Sequence, residues 1–137
     1  MNTSQLGNIG EARILAEFTK RCVPCYLPYG DGNEIDLIAI FNDKINTIQI
    51  KTTEYVHNNS YMIWKLTKQN GFHGSRQCYK DNVDYFALYC LESDVCCLVP
   101  YEEVAGNETI QIRLDSYSGR RLKTMRFVSD YSFDMIL

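Results

Sequence analysis

Between Ser4 and Arg21 the apolar residues Leu6, Ile9, Leu15 and Phe18 recur at helical spacing, which predicts a helix over this segment. Thr3 or Ser4 is available as its N-cap, and Lys20 and Arg21 suit the negative end of its dipole. From Cys25 the period changes. The runs CYLPY, EIDLIAIF and TIQIKTTEYV are rich in β-branched and aromatic residues and are separated by GDGN and NDKIN, which predicts a strand meander. Further on, VDYFALYCL and VCCLVPY predict two strands either side of an ESD turn, PYEEV a helical turn opened by Pro100, and ETIQIRL another strand. Between Lys65 and Lys80 the pattern is irregular, with Gly71 and Gly74 flanking Phe72 and His73, and a loop or a short helix is expected. A helix followed by a mixed sheet is an α/β or α+β arrangement.

Composition adds limits to this picture. With 137 residues, 45% of them hydrophobic, and no repeat or Pro/Gly/Ser-rich linker, a single domain over residues 1–137 is expected to bury its own core. The N-terminus shows no basic region followed by an apolar one, so the six cysteines read as reduced thiols of a cytoplasmic protein. Cys22 and Cys25 form one Cys-x-x-Cys, but no second pair has that spacing, and the adjacent Cys96 and Cys97 would point to opposite faces of a strand. They are expected to be small core residues. No apolar run approaches the length of a membrane span.

The net charge of −3 conceals blocks of opposite sign. Residues 61–80 carry Lys65, Lys68, Arg76 and Lys80 without an acid, and residues 111–126 carry Arg113, Arg120, Arg121, Lys123 and Arg126 against Asp115 alone. Residues 81–110 hold seven acids and no base. One basic and one acidic side is a reading of this distribution, and a solvated charged surface is the other.

Candidate chemistry emerges from strand parity. If residues 34–41 and 46–54 form a hairpin turning at Asp43 and Lys44, Asp36 faces Lys51, Ile38 faces Gln49, and Asp36, Gln49 and Lys51 share one face. A register shifted by two residues preserves this grouping. On the helix, Glu11, Leu15, Phe18 and Cys22 are spaced to line one stripe, which sets a glutamate among apolar residues and calls for a cation or donors to meet it. Gly7 and Gly10 leave room ahead of it for backbone or substrate to come close. Two carboxylates, an amide carbonyl and backbone oxygens form a hard donor set of the kind that suits Mg²⁺ or Mn²⁺, and a lysine beside them suits phosphodiester hydrolysis. The same spacing also describes a cross-strand ion pair with a solvated glutamine.

These residues resemble the PD-(D/E)XK nuclease superfamily, in which a helical glutamate is followed by an aspartate on one strand and (D/E)-x-K on the next. Glu11, Asp36 and Gln49-Ile50-Lys51 stand in those places in order. The chain is most similar to the small endonucleases associated with group I introns, and more loosely to archaeal-type Holliday junction resolvases. Residues 7–53 carry the core of the resemblance, and NVDYFALYCLESDVCCLVPYEEV is similar to that family's central strands. Ile35 stands where the name-giving proline would be, and Gln49 replaces the acid as in known Q-x-K variants.

The resemblance implies a restriction-endonuclease-like α/β core, with an N-terminal helix on a mixed central sheet of about five strands. It implies a Mg²⁺-dependent endodeoxyribonuclease, with Mn²⁺ as a substitute, in which Glu11, Asp36, Gln49 and the Ile50 carbonyl hold the metal and Lys51 is the catalytic lysine. Arg76, Lys80, Arg120, Arg121, Lys123 and Arg126 would be phosphate contacts to double-stranded or branched DNA. Cutting both strands implies a homodimer or homotetramer. The alternatives are a binding module in which Gln49 marks a degenerate site, and a resolvase-like nuclease that recognises branched DNA. Tyr61, Trp64, Phe72 and His73 are candidates for a groove-facing loop or for the core, and His57 and His73 have no partner at ligand spacing.

Overall fold

The computed structural model describes residues 1–30, 32–69, 76–78 and 82–137, and for residues 69 and 76–78 the backbone alone. Helix α1 (Thr3–Thr19) starts one residue earlier than the spacing predicts, because Asn2 and Gln5 form a reciprocal cap. Asn2 Oδ1 accepts the Gln5 N–H and Gln5 Oε1 accepts the Asn2 N–H, each at 2.9 Å. Strands β1 (Cys25–Tyr26), β2 (Leu37–Phe41) and β3 (Lys44–Thr53) follow as the predicted meander. Then come β4 (Tyr61–Lys65), β5 (Thr67–Gln69), β6 (Arg76–Cys78), β7 (Tyr85–Cys90), β8 (Val95–Pro100), α2 (Tyr101–Val104) and β9 (Thr109–Arg113). A 3₁₀ turn (Val128–Tyr131) and α3 (Phe133–Ile136) close the chain.

Five strands form one mixed sheet in the order β1-β2-β3-β7-β8, in which β3 and β7 run parallel and the other pairs antiparallel. The fold is mixed α/β with an N-terminal helix on a five-stranded central sheet, as expected. On one face, Ile14 and Phe18 of α1 pack with Leu37, Ala39, Ile48, Ile50, Ala87 and Leu98. On the other, Phe86, Leu88, Cys97 and Val99 pack with Met62 and Trp64 of β4 and Ile110 and Ile112 of β9, which pair as a separate two-stranded sheet. Trp64 is therefore core, and its Nε1 donates to the Tyr89 carbonyl at 2.9 Å. Cys96 and Cys97 fall into opposite clusters as adjacent strand residues must, and burial pushes both thiols up to about 12.

Three details differ from the sequence reading. The β2–β3 hairpin turns at Asn42 and Asp43, both at positive φ (53° and 59°), so Leu37 pairs with Ile48 and Phe41 with Lys44. A two-residue turn of this hand needs left-handed backbone at both centres, which Asn and Asp tolerate and Lys resists. The register moves by two residues and parity is kept. Second, the segment after Lys65 contains strands β5 and β6, paired antiparallel, where a loop or short helix was expected; Phe72, His73 and Lys80 lie outside the described residues.

Third, the buried stripe of α1 is Gly10, Ile14, Glu17 and Phe18, so Glu11 sits beside it and is exposed. The cause is Gly10, against which β3 comes so close that a Cβ there would lie 1.8 Å from Thr52 Oγ1. The buried glutamate is Glu17, met by Arg13 at 2.5 Å, Lys20 at 2.9 Å and Arg21 at 3.4 Å. Arg13 and Arg21 in turn reach Asp94 and Asp134, which ties α1 to the β7–β8 turn and to α3. No helix among the described residues is long and apolar enough to cross a membrane.

Candidate active site

Strand β2 begins at Leu37, whose partner is Ile48, so beyond Ile48 the outer edge of β3 has no β2 residue against it. The N–H of Ile50 points past the end of β2, and Asp36 supplies its acceptor. Asp36 N–H donates to the Ile48 carbonyl at 2.9 Å, which turns the side chain so that Oδ2 accepts the Ile50 N–H, also at 2.9 Å. A buried backbone donor thus fixes the orientation of a carboxylate.

Glu11 comes to the same place from the helix. It lines a cleft of about 230 Å³ together with Asn8, Leu27, Asp36 and Ile50. Burial raises the Asp36 pKa, more than the Ile50 N–H and the nearby Lys51 charge lower it. Glu11 is raised as well, by burial and then by the negative charge of Asp36. The Asp36 charge is thus near enough to oppose the ionisation of Glu11, an effect that a cation between the two would offset.

Ile48 and Ile50 face the helix, so Gln49 and Lys51 project from the opposite side of β3. The expected single face is thereby split: Glu11 and Asp36 approach from the helix side, and Gln49 and Lys51 flank the same open stretch of β3. Lys51 Nζ donates to the Thr67 carbonyl of β5 at 3.1 Å and lines a second cleft with Thr3, Tyr55, His57 and Trp64. Gln49 is 8% exposed, and its Oε1 is buried without a hydrogen-bond partner among the described residues. An amide oxygen left in that state is an acceptor available to a cation or a water. Among the described residues no three of His, Cys, Asp and Glu group as a metal site. Glu11, Asp36 and Ile50 line one cleft, and their oxygens are of the hard kind that suits a divalent ion keeping several waters, whereas Gln49 projects from the other face of β3.

Of the residues expected to meet phosphates, Arg120, Arg121 and Lys123 are exposed and Arg126 is half-buried; the side chain of Arg76 and all of Lys80 lie outside the described residues. Arg121 is already engaged, donating to the Asp115 and Tyr117 carbonyls at 2.8 and 3.3 Å and lying 4.1 Å from the centre of the Phe127 ring. Lys123 and Arg126 share a cleft with Glu103 and Asp130, so the two signs of charge are not cleanly separated there. His57 stacks on Tyr61, and the Arg113 guanidinium lies 5.2 Å from the centre of the Tyr61 ring. Two site residues escaped the sequence reading. Asn8 lies three residues before Glu11 and was legible from helical spacing, whereas the Thr67 carbonyl reaches Lys51 through a tertiary contact with no local signal.

No curated protein sequence matches the chain. Among solved structures it is similar to a bacterial homing endonuclease, I-Ssp6803I, with a TM-score of 0.76 at 16% identity, covering 96% of this chain and 88% of that one. At that identity the likeness is one of fold. The sequence profile of the PD-(D/E)XK endonucleases matches residues 1–134, and the chain belongs to that family.

Proposed function

We propose that the chain is a metal-dependent DNA endonuclease that hydrolyses phosphodiester bonds. The observation that carries this reading is that Glu11 and Asp36 line one cleft, with the Asp36 carboxylate fixed on the Ile50 N–H and its charge acting on Glu11, and with Lys51 near enough to act on Asp36. A divalent ion, Mg²⁺ with Mn²⁺ as a substitute, supplies polarisation of a phosphoryl oxygen and activation of water when bound. Glu11, Asp36 and the Ile50 carbonyl would hold it, with the Gln49 amide oxygen as a ligand or water-positioning group from the other face of β3. Lys51, kept in place by the Thr67 carbonyl, offsets charge that develops on the phosphate. Arg120, Lys123 and Arg126, with Arg76, Lys80 and the remaining exposure of Arg121, contact the DNA backbone and supply salt-dependent affinity without sequence choice. Double-stranded or branched DNA is the substrate class, and two or four copies of the chain provide the cuts in both strands.

The replacement of the third acid by Gln49 favours one second reading, a nucleic-acid-binding module that has lost catalysis. Incubation with supercoiled plasmid and with four-way junctions, in Mg²⁺, in Mn²⁺ and in chelator, separates these readings. Cutting that requires the ion supports the nuclease, and cutting confined to junctions assigns it to branched DNA. Retention of DNA without cutting in either ion assigns the chain to the binding module.

A further inference from the structure

β4 and β9 form a two-stranded antiparallel ribbon whose inner residues, Met62, Trp64, Ile110 and Ile112, belong to the core. Alternation then fixes its outer face, where Tyr61 pairs with Arg113, Ile63 with Gln111, and Lys65 with Thr109. Lys65, Thr109 and Gln111 are exposed, and the charged side chains of this face, Lys65 and Arg113, are both cationic. Arg113 is pinned: its guanidinium lies 5.2 Å from the centre of the Tyr61 ring and 4.7 Å from that of Tyr117, and its Nη1 donates to the Ser60 hydroxyl at 3.2 Å. Among the described residues Lys65 and Gln111 have no side-chain partner, so their polar ends are available to a ligand. The β4 side of the ribbon leads to the candidate site, since Ile63 and Lys65 line the cleft that holds Lys51. The β9 side leads to the basic segment, since the Arg113 N–H donates to the Arg126 carbonyl at 2.8 Å and Arg113 bridges to Phe127.

We propose that the outer face of this ribbon enters the major groove of double-stranded DNA and reads base edges, with Gln111 and Lys65 as the specificity-determining residues. The inference rests on the DNA-nuclease reading above and deepens it by naming what selects the substrate. A major groove about 12 Å wide admits a two-stranded ribbon, in which a glutamine amide suits the N6 and N7 edge of adenine and a lysine the O6 and N7 edge of guanine. Gln111 and Lys65 stand one on each strand and two residues apart along the ribbon, a separation of about 7 Å, or about two base steps. Arg120, Lys123 and Arg126 on the adjoining segment then meet phosphates at the rim of the groove, which divides positioning from reading. The cations of the face favour a polyanion as its occupant. A two-fold contact between copies of the chain would set Lys65 and Arg113 against their own kind.

The test selects duplexes from a pool of random sequence with the full chain, with Ca²⁺ in place of Mg²⁺ to keep bound duplexes intact, and sequences those retained. The variants are Gln111→Ala, Gln111→Glu and Lys65→Ala, all at exposed positions, with sedimentation of each recorded alongside. The wild type is expected to enrich a preferred sequence. Gln111→Ala and Lys65→Ala are each expected to relax it by on the order of tenfold at one or two positions, with affinity for unselected duplexes little changed by Gln111→Ala. Gln111→Glu is expected to move the preference at the same position from adenine towards cytosine, whose amino group a carboxylate accepts. Retention of the wild-type preference by all three variants overturns the proposal, as does a change in sedimentation with the preference intact, which would make the ribbon a contact between copies. A wild type that cuts DNA but enriches no sequence overturns the proposal and leaves the nuclease reading standing. A wild type that retains and cuts no duplex removes both.

Discussion

Asp36 Oδ2 accepts the Ile50 N–H at 2.9 Å at the point where β2 has ended and β3 runs on against β7. The bond fixes a carboxyl group in surroundings that resist its charge. Because the folded pKa of Asp36 lies above its unfolded value, the folded chain binds that proton more tightly. The stability this contributes is fully present below the ordinary value of 3.8 and is lost as pH rises through the folded value. Asp36→Asn keeps an oxygen for the Ile50 N–H and removes the ionisation. It is expected to gain about 0.5–2 kcal/mol at pH 7 while abolishing cleavage, with the gain vanishing in acid; denaturation at several pH values measures it.

Glu17 behaves in the opposite sense. Burial alone would push its carboxyl up, but the hydrogen bonds and charges of Arg13 and Lys20 outweigh that and hold it below the ordinary value of 4.5. Its contribution is present above that value and is lost as pH falls through the folded pKa. Glu17→Gln is expected to lose about 1–3 kcal/mol at pH 7. The gap between variant and wild type should close as the pH is lowered, and a gap independent of pH would remove the ionic explanation.

Two glycines of α1 should respond with opposite signs. A Cβ at Gly10 would lie 1.8 Å from Thr52 Oγ1, whereas one at Gly7 meets nothing within 4 Å. Gly10→Ala is expected to destabilise by about 1–3 kcal/mol through overpacking, relieved in part by Thr52→Ala. Gly7→Ala is expected to stabilise by up to about 1 kcal/mol through helix propensity. Thermal melts of the three variants check this, and a neutral Gly10→Ala would contradict the close approach of α1 to β3.

Arg120 and Lys123 are exposed basic candidates. Arg120→Ala and Lys123→Ala are each expected to weaken DNA binding equally across sequences and to reduce the slope of log K against log salt by about one. Titrations at several salt concentrations read this directly. A loss confined to one target sequence would place these residues at base edges instead.

Strand parity and helical spacing carried much of this structure in the sequence. Alternation in EIDLIAIF and TIQIKTTEYV was enough to pair β2 with β3, and the register error of two residues was harmless because parity survives it. The face assignment failed at Asp36 because that residue precedes the strand and turns toward Ile50. The helix stripe was rotated onto Glu11 because spacing alone does not show that Gly10 would be the point of contact, nor that Glu17 would be buried among Arg13, Lys20 and Arg21. The hold of Thr67 on Lys51 spans 16 residues through a backbone carbonyl, which carries no residue-type signal at all.

Single-turnover cleavage of plasmid DNA by wild type, Asp36→Ala and Lys51→Ala, in Mg²⁺ and in Mn²⁺, bears most directly on the site. Both variants are expected to remain folded, to retain DNA and to lose at least about a hundredfold in rate. Cleavage by either variant at close to the wild-type rate would contradict the assignment of this site.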